Sequence, residues 1–119
     1  MQTDRELLAS AYEHFNIREI DSVLNLMHPD VDWPNALEGG RVRGHSAVRD
    51  YWTRQWAMLD PHVEPTGFAL NPDGRTIVQV HQVVRDLTGK VLSDRIVEHV
   101  YLVQDGLIRS MEIRETPLS

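Results

Sequence analysis

The chain has 119 residues, a formal net charge of −6 and no cysteine, which suits one domain with a single core and excludes disulfides, thiolate chemistry and Cys-bearing zinc sites. The acidic balance argues against nucleic acid, whose phosphates call for a basic patch. At 41% apolar and 25% charged residues the composition is globular, and no apolar run approaches the roughly 20 residues of a membrane span.

The polar start, Met1 to Glu6, lacks the basic and apolar segments of a signal peptide, so a cytoplasmic protein folded as one domain over 1–119 is expected. Thr3 and Glu6 have the spacing of a capping box, and Leu7, Leu8, Ala11, Tyr12 and Phe15 share a face, which predicts a helix from about Asp4 to Asn16. Ile20, Val23, Leu24 and Met27 predict a short second helix, ended by a turn at Pro29-Asp30. A strand follows from Val31 to Asn35. Its period of two sets Val31, Trp33 and Asn35 on one side and Asp30 and Asp32 on the other, and Pro34 marks it as an edge strand. Glu38 to Gly44 is too glycine-rich for regular structure and reads as a flexible mouth; it lacks the lysine and spacing of a phosphate loop.

From His45 to Leu59 the helical period returns, with Val48, Tyr51, Trp52, Gln55, Trp56 and Leu59 on one stripe. Three aromatic rings on one helix either fill the core or wall a small-molecule pocket. Pro61 to Leu70 is a strand interrupted at Pro65 and Gly67, and Asn71 to Gly74 turn it into the C-terminal ladder. There, Arg75 to Asp86 and Val91 to Gln104 alternate as strands joined by Leu87 to Lys90. Asp105-Gly106 makes a two-residue turn, which needs positive φ at both positions, into a last strand ending near Glu115. The order ααβαββββ predicts an α+β fold, with three helices on one face of a strongly bent antiparallel sheet.

Pairing Val103 with Ile108 sets Tyr101 opposite Ser110 and His99 opposite Glu112 until a bulge intervenes. With an ordinary pKa of about 6.5, His99 is the leading acid or base, oriented by Glu112 and flanked by Tyr101; the alternative is a half-buried histidine satisfied by that glutamate. If Asp86 faces Val91, His81 pairs with Ile96 and Gln79 with Glu98 on the opposite face. That face, with Ile77, Val83, Val100 and Leu102, has the mixture of a homodimer interface. Asp30 is expected to cap the turn after Pro29. His28, His45 and His62 lie singly, so no metal is expected, and with neither a nucleophile elbow nor a dinucleotide motif no cofactor is expected either.

The element order, together with His28-Pro29-Asp30-Val31-Asp32-Trp33, Gly44 to Trp52 and Asp105-Gly106-Leu107-Ile108, resembles the SnoaL-like branch of the nuclear transport factor 2-like superfamily over nearly the whole chain. The resemblance implies a cone-shaped α+β barrel with a pocket between the helices and the bent sheet. The superfamily includes steroid isomerases, polyketide cyclases, dehydratases, epoxide hydrolases and pure binding modules, so the fold does not select a reaction. Where ketosteroid isomerases carry their aspartate base, this chain has Asn35, which cannot accept a proton. Their oxyanion-hole aspartate corresponds to His99, with Tyr101 one step along. The pocket residues of their last strand correspond to Met111 and Ile113, which turn inward only if a bulge lies between Ile108 and Met111. The Thr-His-x-Gly segment of the cyclases is here Asp86-Leu87-Thr88-Gly89, without the histidine.

Two readings stand. One is a small lyase, isomerase or cyclase acting on an apolar carbonyl compound, with His99, Tyr101 and Asn35 as its catalytic groups and Tyr12, Phe15, Trp33, Trp52, Trp56, Met111 and Ile113 around the ligand. The other is a module that binds an apolar small molecule without turnover, or a structural homodimer.

Overall fold

In the computed structural model, which describes residues 3–115, the chain forms α1 (Asp4–Asn16), α2 (Ile20–Leu24), β1 (Met27–Pro34), β2 (Arg41–Arg43), α3 (His45–Met58), β3 (Leu59–Leu70), β4 (Thr76–Asp86), β5 (Val91–Gln104) and β6 (Leu107–Glu115). Helix α1 starts as its capping box dictates: the Glu6 N–H donates to Thr3 Oγ1 and the Thr3 N–H to Glu6 Oε1, each at 3.1 Å. The six strands make one sheet in the order β2-β1-β6-β5-β4-β3. All neighbours are antiparallel except β1 and β6. The buried stripes of α1 and α3 pack against one face of this sheet, with Leu8, Trp52, Val78, Val80, Val97 and Ile108 among the core residues. This inner face holds the candidate site.

Three expectations around β1 are corrected. Met27 does not extend α2 but opens β1, because β6 supplies it with a partner, Ile108, whose N–H also bonds the Leu26 carbonyl at 2.8 Å. Pro29 and Asp30 then lie inside the strand, in the stretch between Met27 and Asp32 where the pairing with β6 shifts register. A proline lacks the N–H that a regular ladder needs, so it fits such an irregular stretch. Asp30 caps no turn; its own N–H is held by His28 Nδ1 at 3.0 Å.

Nor is β1 the edge. Glu38 to Gly44 is not a loose mouth: Gly39 and Gly40, with φ of 89° and 75°, fold the chain back so that Arg41–Arg43 pairs with Asp32–Pro34 and becomes the edge strand. Arg41 Nε reaches Asp32 Oδ1 at 2.5 Å. Arg41-Val42-Arg43 alternates for only three residues, too short a run to announce a strand.

The C-terminal ladder carries the register that matters. Asp105 and Gly106 take φ of 55° and 76°, as a tight hairpin requires, and Val103 pairs with Ile108. Leu102 then pairs with Ser110, so Arg109 is the extra residue of a bulge. Beyond it Tyr101 faces Met111 and His99 faces Ile113, while Glu112 faces Val100 and is exposed on the outer side. Glu112 is therefore not the orienting partner of His99. Between β4 and β5, His81 pairs with Ile96 and Gln79 with Glu98 as expected, although a one-residue slip near the turn sets Arg85, not Asp86, against Val91.

On the outer face Ile96 is 43% exposed and Ile77, Val83 and Leu102 are half-buried, but Val100 is only 3% exposed within the single chain. A hydrogen-bonded pair, His81–Asp94, and an ion pair, Arg114–Glu98, cross the same face. Among the described residues no helix is long and apolar enough to cross a membrane.

Candidate functional site

A cavity of about 360 Å³ opens between the helices and the inner face of the sheet. Its aromatic side is built by spacing. Tyr12 and Phe15 come from one face of α1, Tyr51 and Trp52 from α3, and Trp33 from β1 by alternation, and all five border the cavity. Trp52 is the hub: Phe15 meets it edge-on at 5.3 Å between ring centroids and Trp33 at 5.6 Å. Trp56 shares the stripe but stands behind the lining, stacked on Trp52 at 5.8 Å with the Arg18 guanidinium 5.0 Å over its ring. Gln55 and Leu59, on either side of it along the stripe, do line the cavity.

The bulge at Arg109 decides the opposite wall. Because β6 gains a residue there, Met111 and Ile113 turn inward and both border the cavity beside Tyr101 and His99. Tyr101 and His99 are two apart on β5, so they share the inner face, and α1 brings Tyr12 against them. Tyr101 Oη donates to Tyr12 Oη at 2.8 Å, and Tyr12 Oη lies 2.7 Å from His99 Nδ1. A hydroxyl has a single proton. With its oxygen accepting from Tyr101, Tyr12 directs its own proton to Nδ1, which leaves the proton of the neutral imidazole on Nε2.

That Nε2 is buried and has no hydrogen-bond partner among the described residues. His99 is 5% exposed, and burial lowers its pKa to about 4, so the ring is uncharged at neutral pH. Burial likewise pushes both phenols up, well above the ordinary tyrosine value. The three groups form an uncharged chain of donors that ends in a free N–H. Trp56 Nε1 is likewise buried and unpartnered, but it lies outside the lining.

Asn35 borders the cavity and is buried, yet its amide is committed to the β1–β2 connection. Its Oδ1 accepts from the N–H groups of Leu37 and Glu38 at 3.2 and 2.8 Å, and its Nδ2 donates to Glu38 Oε1 at 3.0 Å. Four polar lining residues escaped the sequence reading as site residues. Tyr51, whose hydroxyl accepts from the Ala36 N–H at 3.1 Å and from Gln55 Nε2 at 3.2 Å, and Gln55 itself were both on the α3 stripe. Gln82 and Arg95 face each other across β4 and β5, and counting back by two from His99 would have found Arg95. No aspartate or glutamate is among the described residues that border the cavity.

A family model of the SnoaL-like domain matches residues 8–111. The chain belongs to the SnoaL-like family. Among solved structures similar to this SnoaL-like protein, TerC crystallised with polyporic acid is 25% identical, with 93% of this chain and 89% of that one aligned at a TM-score of 0.80. An NTF2-like protein of unknown function from Burkholderia pseudomallei is 21% identical over 98% and 92% of the two chains, at 0.82. A candidate polyketide cyclase from Pseudomonas putida is 17% identical over 98% and 93%, at 0.83. The last two share the fold. No curated protein matches the sequence.

Proposed function

We propose that this SnoaL-like protein binds a small apolar molecule bearing a carbonyl or similar acceptor oxygen, held in the cavity with that oxygen on the His99 Nε2–H. The observation that carries this reading is the unpartnered donor itself. A buried polar group left without a hydrogen bond costs about 1–3 kcal/mol, and a ligand acceptor recovers that cost. Trp33, Trp52, Phe15 and Met111 supply the apolar contact, as in small-molecule sites generally. The crystallisation of TerC with polyporic acid supports a small-molecule role.

The enzymatic reading, a lyase, isomerase or cyclase, draws on the Tyr101–Tyr12–His99 chain, which could stabilise an enolate oxygen through Nε2–H, with Asn35 elsewhere in the same lining. Against it stands the lack of a base in the described lining. With no carboxylate there, and with His99 accepting from Tyr12, no side chain of the described lining is placed to remove a proton. Binding without turnover is therefore the first reading.

Histidine ¹⁵N NMR with 4-acetylbiphenyl as probe tests both. The expected result is a shift of the His99 Nε2–H resonance on binding; a bound ketone that leaves it unmoved overturns the assignment. Deuterium uptake at the acetyl methyl, faster with the protein than without it, would replace binding by enolisation chemistry.

A homodimer through the outer sheet face belongs to the same proposal, on the strength of Ile77, Val83, Ile96 and Leu102 lying among polar residues. Light scattering is expected to give twice the 13.7 kDa of one chain, and a monomer mass would refute the dimer. Ile96→Asp is the variant to pair with it, since Val100 already belongs to the interior. A cytoplasmic location, a single domain over 1–119, and no nucleic acid or membrane as partner complete the proposal.

A further inference from the structure

Among the described residues, one charged side chain borders the cavity, that of Arg95. Alternation along β5 puts Arg95, Val97, His99 and Tyr101 on the same side, and Arg95 borders the cavity with its cross-strand neighbour Gln82. Four residues of extended strand separate Arg95 from His99, about 13 Å. The two ends differ in kind. His99 is enclosed and uncharged, whereas the Arg95 side chain is 51% exposed at the rim. Val63, Val84 and Ile113 give the wall near that rim an apolar surface. No carboxylate is among the described lining residues.

Arg95 already has one partner: Nη1 lies 2.6 Å from Glu115 Oε1, and both side chains are largely in water. An exposed pair of this sort holds weakly. A guanidinium presents five N–H donors in a planar fork that suits a carboxylate, so one contact with Glu115 leaves donors for a second oxygen group.

Resting on the reading of the cavity as a binding site, we infer that its ligand is an apolar acid. Its uncharged oxygen meets His99 Nε2–H inside, and its carboxylate or other anionic oxygen group meets Arg95 at the rim. The competing explanation is that Arg95 serves only as a surface partner of Glu115.

The test compares 4′-acetylbiphenyl-4-carboxylate with its methyl ester by calorimetry, together with quenching of tryptophan emission. All three tryptophans belong to the aromatic cluster at the cavity, so quenching locates the bound probe. The acid is expected to bind about tenfold tighter than the ester at low salt, as a charge-assisted contact should, and the margin should shrink as salt rises. Arg95→Gln should abolish that preference and leave ester affinity within about twofold, while Glu115→Gln should hold or tighten acid binding. Acid and ester quenching equally in the wild-type protein would overturn the inference and leave the cavity reading standing. So would a preference that survives Arg95→Gln. If neither compound quenches, the cavity reading fails and this inference fails with it.

Discussion

His99 and His81 sit on adjacent strands of the same sheet and differ in which side they face. His81, on the outer side, is half-exposed, with Nε2 2.6 Å from Asp94 Oδ1. His99, on the inner side, shares the cavity with no carboxylate among the described lining residues; its Nδ1 accepts from Tyr12, and its buried Nε2 has no hydrogen-bond partner among the described residues. The same side chain is an ordinary surface partner in one place and a neutral, desolvated donor in the other. Residue type sets what a histidine can do, and the face of the sheet decides which of these it does.

The largest expected break in this contrast is packing. Trp52→Ala should cost about 3–5 kcal/mol in urea unfolding, because the ring joins Phe15, Trp33 and Trp56. Arg114→Ala, on the exposed outer face, should stay within about 0.5 kcal/mol.

Next comes pH. His99 has a pKa of about 4 when folded against about 6.5 unfolded, so the unfolded chain takes up the proton first. Stability is therefore whole above about pH 6.5 and falls as pH drops from there through 4, by on the order of 3 kcal/mol. His99→Gln should remove that part of the pH dependence, while His81→Gln should keep it. Unfolding curves at several pH values check this, and identical slopes in wild type and His99→Gln would refute it.

Ligand affinity follows. His99→Ala should weaken 4-acetylbiphenyl about tenfold, whereas His81→Ala should leave it within about twofold. Thermal shift reads both, since a ligand at 100 times its Kd stabilises by about 2.7 kcal/mol.

The smallest effect sharpens the register. Glu112→Gln should leave the His99 NMR titration unchanged, because the bulge has carried Glu112 to the outer face. A clear shift of the His99 resonance would mean that the two still meet.

Much of this protein could be read from local rules. The capping box at Thr3, the α3 stripe and the Asp105-Gly106 turn each depend on neighbours a few residues apart, and period-two alternation had already set His99 and Tyr101 on one face and His81 on the other. What the chain could not announce by itself came from contacts distant in sequence. Strand β1 begins at Met27 because β6, some eighty residues later, is there to pair with it. The Arg109 bulge leaves no mark in composition, yet one inserted residue reverses the facing of everything after it, exchanging Glu112 for Ile113 opposite His99. Tyr12 reaches His99 only when α1 packs on the sheet, and that packing buries the imidazole away from bulk solvent. Sequence fixes which atoms can donate or accept, because that is covalent chemistry; which of them end without a partner is decided by burial, and burial exists only in the assembled fold.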